Sequence, residues 1–214
     1  MNKPIISKMY EEKLYRTSVQ EVDDIEYWKQ IKRGERAGLE ALYLKYTQEL
    51  FRLGMSIKSD RSLVKDCIQE VFFKIWEYRN TVKTTDNVKL YLFKCLSNKI
   101  HKEVGKEKKR YVFFNLELKD RLYSETEADK DINNVKESKN LALMKSIKAL
   151  SSRQREVIHL LYYENHSYED TSIIMGINVQ SVYTLAWKAI ANLKKSLNIV
   201  AWVSLIYLPY FLSI

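Results

Sequence analysis

The stretch SYEDTSIIMGINVQSVYTLAWKAIANLKKSL, from Ser167 to Leu197, decides the fold class of this chain. Ser167 is suited to open one helix, Gly176 suits the left-handed backbone position that stops it, and Asn178 is a good N-cap for the next helix. The pattern predicts helix, short glycine turn, helix, which is the arrangement of a helix-turn-helix. Such helix pairs also fill the cores of all-α proteins. The rest of the chain must therefore decide whether this pair binds DNA.

The second helix of the pair has two chemically different sides. The side expected to pack inward carries Val179, Val182, Ala186, Ala189 and Leu193. The other side carries groups that bind DNA, because Gln pairs with adenine, Ser and Thr bond bases or phosphates, and Lys reaches guanine. The candidate DNA-binding residues on that side are Gln180, Ser181, Tyr183, Thr184, Trp187 and Lys188. A solvated helix face without a ligand is the alternative that this helix alone leaves open.

Composition favours long helices. The 214 residues are 46% apolar and include only five Gly and two Pro, so a turn-rich β fold is disfavoured. The net charge of +9 indicates a polyanionic partner, either nucleic acid or an anionic membrane. Two basic blocks, 1–110 and 136–198, flank the acidic block 111–135, which has three Lys and Arg against six Asp and Glu.

Apolar spacing predicts an all-α protein of two small helical domains joined by an acidic linker. After a leader over 1–24, the first domain spans 25–110 and the linker spans 111–135. Within the first domain, helical spacing breaks at Arg33-Gly34, an amphipathic helix runs from Asp60 to Asn80, and a basic helix covers 88–110. The second domain spans 136–198. Its first helix has an apolar stripe, and Ser151 with Gln154 forms a capping box at the next. The stripe consists of Leu141, Met144, Ile147 and Leu150.

Cysteine and histidine placement gives no sign of metal or enzyme chemistry. Cys67 and Cys95 stand outside any CxxC pair and fall in helical apolar patterns, so they are expected to be small buried side chains. The three histidines, His101, His159 and His166, lack zinc spacing, and the chain has no glycine-rich phosphate loop or nucleophile elbow. We therefore expect no cofactor, no metal and no enzyme activity. The amino-terminal residues lack the apolar core of a signal peptide, which predicts a cytoplasmic protein.

The carboxyl-terminal tail, IVAWVSLIYLPYFLSI over 199–214, carries no charge. As a helix it would be about 24 Å long, shorter than a hydrocarbon layer of about 30 Å, and Pro209 would interrupt it. Packing against the chain's own domains is the favoured expectation. A protein partner and a membrane contact are the alternatives.

Three motifs, taken in order, resemble a known family. They are D-x-x-Q-E-V-F-x-x-x-W over 66–76, L-S-x-R-Q-R-E-V over 150–157, and S-Y-E-D…G-I-x-V-x-S-V over 167–182. With a basic helix and an acidic linker between the first two, the chain is similar to the extracytoplasmic-function sigma factors of bacterial RNA polymerase. The resemblance implies a promoter-specificity subunit with three partners: core RNA polymerase, promoter DNA and an anti-sigma factor. It requires no cofactor, because polymerase performs the chemistry.

The resemblance also implies roles for particular residues. Asp66, Gln69 and Glu70 would contact a coiled coil of the largest polymerase subunit, with Phe72 and Trp76 in the core. The basic helix would capture the melted minus-ten strand, which needs stacking faces and a cationic groove. Its implied residues are Tyr91, Lys94, Asn98, Lys99, His101, Lys102, Lys106, Lys108, Lys109 and Arg110.

By the same resemblance, Tyr183, Thr184, Trp187 and Lys188 occupy the positions that usually touch the minus-thirty-five duplex. The chain departs from the family pattern where many members carry Arg, because it has Tyr183, Leu185 and Ile190 there. The departure leaves the promoter sequence open.

Two other protein classes remain as alternatives. L-S-x-R-x-x-E-V also opens the helix-turn-helix domain of response-regulator-type transcription factors, although those usually bring an α/β receiver domain. A membrane-surface protein would account for the basic charge together with the apolar tail.

Overall fold

The computed structural model describes residues 24–118 and 138–196, and the side chains of 24–110 and 143–195. The leader, the larger part of the linker and the apolar tail lie outside these ranges. Throughout the described ranges the chain is helical with no strand, as predicted. The helices are α1 (24–33), α2 (Arg36–Ile57), α3 (Arg61–Glu77), α4 (Val88–Leu118), α5 (Ser138–Ala149), α6 (Ser152–Ile158), a π-helical segment (His159–Tyr163), α7 (Tyr168–Met175) and α8 (Val179–Ser196). None of the described helices is both long and apolar enough to cross a membrane.

Contacts group the described residues into two compact units. The first contains 24–100 and Ile173–Gly176, and the second contains 101–118, 138–172 and 177–196. Helix α4 continues past the expected end at Arg110 to Leu118, so the first residues assigned to the linker are helical. The domain boundaries at 110 and 136 stay predictions.

The first unit is built around α2, α3 and α4. Leu50 and Leu53 of α2, Val64 of α3, and Leu92 and Leu96 of α4 are completely buried. Full burial of a leucine side chain contributes roughly 1.5–3 kcal/mol, so such residues dominate the stability of this unit. The apolar stripe predicted for α3 is the buried side of that helix, with Val64, Cys67, Ile68, Val71, Phe72 and Ile75 inside. Trp76, expected in the core, is only partly buried, and its ring lies 4.8 Å from the Arg79 guanidinium.

Polar side chains set where the helices of the first unit begin and end. Gly34 has φ +82° between α1 and α2, which confirms the predicted break at Arg33-Gly34. The Asp60 carboxylate accepts a hydrogen bond from the Leu63 N–H at 3.0 Å and begins α3. Asn87 similarly accepts a hydrogen bond from the Leu90 N–H at 2.8 Å, and α4 begins at the next residue, Val88.

Helices α7 and α8 form the predicted helix-turn-helix. Gly176 has φ +63°, and the Asn178 side chain accepts a hydrogen bond from the Ser181 N–H at 2.7 Å. The capping box at Ser151 and Gln154 is also present. Both local predictions are therefore confirmed, because the capping groups and the turn they stabilise lie within a few residues of one another.

The predicted apolar stripe of Leu141, Met144, Ile147 and Leu150 is confirmed at Leu150 and wrong at Met144, and the Leu141 side chain lies outside the described residues. Met144 is 56% exposed and Ile147 is half-buried, whereas Ser146 and Leu150 are buried. Ser146 lies on the buried side of α5, one turn before Leu150, and α5 contacts α8. Apolar periodicity alone gives a serine no weight, so this position was not predicted.

Candidate nucleic-acid interfaces and docking surface

Helix α8 presents its predicted polar side to solvent. Val182, Ala186 and Ala189 are buried, and Val179 and Leu193 are half-buried, as the amphipathic pattern requires. The exposed residues of the opposite side are Gln180, Tyr183, Thr184, Trp187 and Lys188, with Ser181 half-buried at the first turn. Trp187 is 71% exposed and Tyr183, one turn earlier, is 47% exposed, so two aromatic side chains lie together on this side.

A stacked tyrosine pair lies beside this surface. The rings of Tyr168 and Tyr183 are 4.0 Å apart between centroids and 12° from parallel. Burial is the largest cause of the raised pKa of Tyr162, and the interaction with the Tyr168 phenol is the second. Sequence reasoning missed Tyr168, since the pattern placed it only in the first turn of the preceding helix. The signal in the sequence was that each helix of the helix-turn-helix has a tyrosine near its start: Tyr168 in α7 and Tyr183 in α8.

Helix α4 carries a polar line on its exposed side. Lys94, Asn98, Lys102 and Lys106 follow steps of four residues, and all four are exposed; we call them the α4 stripe. Lys106 Nζ lies 2.9 Å from Glu103 Oε1. The exposed basic residues that continue the helix are Lys108, Lys109 and Arg110. The stripe provides the cationic track that a nucleic-acid backbone requires.

Lys99, another expected DNA-binding residue, is engaged within the first unit. Its Nζ contacts Glu70 Oε2, and its side chain is only 15% exposed. Lys74 Nζ lies 3.1 Å from the other oxygen of the same carboxylate. Hydrogen bonds from Lys99 and then Lys74 hold the pKa of the Glu70 carboxyl below its usual range. The structure thus joins one residue expected to bind DNA to one expected to bind polymerase.

His101 is likewise engaged, in the second unit. Its Nε2 lies 2.8 Å from Oε2 of Glu156, a carboxylate that is completely buried. Arg153 donates to the same oxygen at 3.2 Å. Two polar partners therefore contact the same oxygen of the buried Glu156 side chain, as burial of a polar group requires.

Tyr91 is half-buried rather than fully open. Its ring packs edge-to-face on Trp28, with 5.1 Å between centroids and an interplanar angle of 68°. Trp28 is itself buried, and its indole N–H donates to the Lys83 carbonyl at 3.3 Å. Burial, followed by hydrogen bonding to the Cys95 thiol, raises the pKa of Tyr91 to about 12. Trp28 supports Tyr91 from within the core and is absent from the expected set of DNA-binding residues.

The expected docking helix α3 has a mixed exposed face. Asp66 and Gln69 are exposed, Glu70 is half-buried, and Phe73 is 62% exposed beside them. Sequence reasoning assigned the preceding Phe72 to the core, correctly, and missed Phe73. A cleft of about 320 Å³ lies between α2 and α3; it is lined by Leu39, Glu40, Tyr43, Leu44 and Phe72.

No group of three His, Cys, Asp or Glu that could hold a metal ion occurs within the described part of the chain. The exposed groups are carboxylate and amide with an aromatic ring on α3, ammonium groups on α4, and aromatic and polar groups on α8.

Comparisons with known proteins agree with this arrangement. Residues 42–110 match the family model for sigma-70 region 2, and residues 140–193 match that for sigma-70 region 4. The ECF RNA polymerase sigma factor SigM of Bacillus subtilis (strain 168) is 22% identical over 160 residues, which is 75% of this chain and 95% of SigM.

Two solved structures share the fold. The sigma factor RpoE in complex with the anti-sigma factor NepR, from Bartonella quintana, is 22% identical with a TM-score of 0.55, covering 75% of this chain and 96% of RpoE. CnrH in complex with the cytosolic domain of CnrY is 19% identical with a TM-score of 0.56, covering 83% of this chain and 98% of that one.

Proposed function

The chain belongs to the sigma-70 family, in its extracytoplasmic-function group of promoter-specific transcription initiation factors. We propose that α3 contacts core polymerase, that α4 contacts the minus-ten strand, and that α8 contacts the minus-thirty-five duplex. The observation that carries the proposal is that region 2 and region 4 occur in this order in one chain, over 42–110 and 140–193. A response-regulator-type factor is not favoured, because the first of these segments matches region 2 rather than a receiver domain.

The polymerase contact is proposed for the exposed face of α3. Asp66 and Gln69 offer a carboxylate and an amide to solvent, and Phe73 adds an apolar anchor of the kind that dominates protein interfaces. Glu70 belongs to this set, although Lys74 and Lys99 already satisfy part of its hydrogen-bonding capacity. We therefore expect Asp66, Gln69 and Phe73 to contribute more than Glu70.

The minus-ten contact is proposed for α4. The α4 stripe offers three ammonium groups and one amide along a single line, which suits a phosphate backbone. Lys108, Lys109 and Arg110 extend the positive charge. Tyr91 supports base stacking only through the part of its ring that Trp28 leaves uncovered, and Lys99 and His101 reach DNA only by leaving Glu70 and Glu156.

The minus-thirty-five contact is proposed for the exposed side of α8. A recognition helix contacts bases through its amino-terminal half, and the exposed side chains Gln180, Tyr183, Thr184, Trp187 and Lys188 lie there and in the next turn. Lys194 and Lys195 are exposed in the last turn and add positive charge for phosphate.

The partners and location follow from the family. RpoE and CnrH were each solved with a second protein, which for RpoE is an anti-sigma factor. We propose that this chain too is held by an anti-sigma factor until a signal releases it, and that it acts in the cytoplasm, where the chromosome and polymerase are. It needs no cofactor and is not an enzyme, because bond formation belongs to polymerase. Whether 199–214 contacts a membrane stays a secondary hypothesis.

Transcription with purified core polymerase tests the proposal. We expect core polymerase plus the full chain to initiate at a restricted set of genomic fragments that share two spaced motifs. The double variant Asp66→Ala, Gln69→Ala is expected to reduce initiation at least tenfold, while Glu35→Ala, an exposed carboxylate between α1 and α2, leaves it unchanged. Binding of duplex DNA without any association with core polymerase would instead favour the stand-alone regulator.

A further inference from the structure

Ring surface dominates the middle of the exposed side of α8. Its members are Tyr183, Thr184 and Trp187, of which two are aromatic. The Thr184 hydroxyl donates to the Gln180 carbonyl at 3.0 Å, so its proton is committed to the helix, and its methyl group and the acceptor lone pairs of its oxygen remain for a ligand. Trp187 offers a large apolar surface whose single donor lies at the ring edge.

The Tyr183 ring is held in one orientation. Stacking on Tyr168 at 4.0 Å covers one of its faces and restricts rotation of the side chain, while 47% of the residue remains exposed. Tyr168 is itself only partly exposed, which further limits the movement of the stacked pair. A pre-oriented ring loses less conformational entropy on binding than a free one. Tyr168 is therefore a positioning residue for Tyr183.

Guanine recognition has little support on the same helix. Arginine makes the commonest specific contact, with guanine O6 and N7, and the sequence of α8 contains no arginine. Lys188 is an exposed cation that follows Trp187 directly, and it lies at the end of the exposed side of α8 rather than in its middle. At the amino-terminal end, Gln180 has the amide that pairs with adenine N6 and N7.

On the basis of the proposed function, we propose that Tyr183, Thr184 and Trp187 recognise thymine 5-methyl groups, so that the minus-thirty-five element of this chain is A·T-rich at its centre. Thymine alone presents a methyl group in the major groove, and apolar side chains contact it there. The stack on Tyr168 makes Tyr183 a specificity-determining residue, and Gln180 adds a preference for adenine at the adjoining base pair.

The test replaces thymine by deoxyuridine, which removes only the methyl group. The assay measures transcription initiation by the full-length protein with core polymerase at the strongest promoter among the genomic fragments. Each thymine of the upstream element of that promoter is replaced in turn by deoxyuridine. Loss of one buried methyl group is expected to reduce initiation at subsaturating holoenzyme about fourfold at one or more positions. The readout is the ratio of thymine to deoxyuridine promoter activity. A partly unfolded variant leaves this ratio unchanged.

Variants assign the contacts. Tyr183→Ala and Trp187→Ala are each expected to bring the ratio to about one at the thymine that the replaced side chain contacts. Tyr168→Ala is expected to lower the ratio at the thymine that Tyr183 contacts. Tyr168→Phe keeps the stack and should keep the ratio. Tyr163→Ala serves as the matched control, because Tyr163 is 58% exposed in the same unit and stacks on His159 instead.

Equal activity of thymine and deoxyuridine promoters at every position, or an upstream element with G·C pairs at its centre, would overturn the inference and leave the proposed function intact. Failure to initiate at any promoter with core polymerase would overturn the proposed function, and this inference with it.

Discussion

Lys99 of α4 and Glu70 of α3 form an ion pair that joins two surfaces expected to bind different partners. The Lys99 side chain is 15% exposed and the Glu70 side chain 39%, and Lys74 completes the group. A lysine whose charge is neutralised by a neighbouring carboxylate adds less to phosphate binding than a solvated one. The structure therefore ranks the lysines of α4, with Lys102 of the α4 stripe above Lys99.

The salt dependence of DNA binding measures this ranking. We expect Lys102→Ala to reduce the slope of log K against log salt for a single-stranded minus-ten oligonucleotide by about 0.7, the value for one phosphate contact on single strands. Lys99→Ala is expected to change the slope by less than half as much. The measurement is fluorescence anisotropy of the holoenzyme complex over a series of KCl concentrations. Equal slopes for the two variants would contradict the ranking.

The ion pair also has a titration signature. Because Lys99 is the first cause of the lowered pKa of Glu70, Lys99→Met is expected to raise that pKa toward its usual value. The lowered pKa means that the pair stabilises the fold above the usual carboxyl pKa and loses this contribution as pH falls through the folded-state value. Since Glu70 is substantially exposed, the contribution is below about 1 kcal/mol. Carbon-13 NMR titration of the Glu70 carboxyl in both proteins measures the shift, and an unchanged pKa in the variant would exclude the pair in solution.

Two glycines make a matched pair for stability. A Cβ at Gly54 would lie 2.4 Å from Val64 Cγ1 and 3.2 Å from Ile100 Cδ1, whereas one at Gly105 would meet nothing within 4 Å. Gly54→Ala is therefore expected to destabilise the first unit by about 1–3 kcal/mol through overpacking. Gly105→Ala, inside α4, is expected to stabilise that helix by up to about 1 kcal/mol. Urea denaturation followed by circular dichroism compares them; stabilisation by both would mean that α2 and α3 do not approach closely at Gly54.

The Tyr91 phenol is expected to titrate near pH 12, because burial disfavours its anion. The sign follows from linkage. The pKa of Tyr91 is about 12 in the folded state and 10 in the unfolded state. Burial of the neutral phenol therefore contributes fully to the stability of the fold below pH 10, and this contribution is lost as the pH rises toward 12. Ultraviolet difference titration of the chain and of Tyr91→Phe isolates the step. A difference curve centred near pH 10 would show that Tyr91 is solvated, and Trp28→Ala should move it in that direction.

The helices and their ends were predictable because their causes are local. The Arg33-Gly34 break, the Ser151 capping box and the Asn178 cap each involve residues within a few positions of one another, and all are present. The exposed face of α8 was predictable for the same reason, since a periodicity of 3.6 residues assigns its sides. The exception among the patterns is α5, where Met144 is exposed and Ser146 is buried.

The sequence by itself determined the helical class, the order of the two sigma regions and the side chains that α8 offers to solvent. Only the tertiary structure decided which of the expected binding side chains are engaged: Lys99 by Glu70, His101 by Glu156, Tyr91 by Trp28 and Tyr183 by Tyr168. Hydrogen bonds and caps within a helix depend on neighbours in the chain. Ion pairs and ring stacks between helices depend on axial rotation and separation, which the packing of the whole core sets.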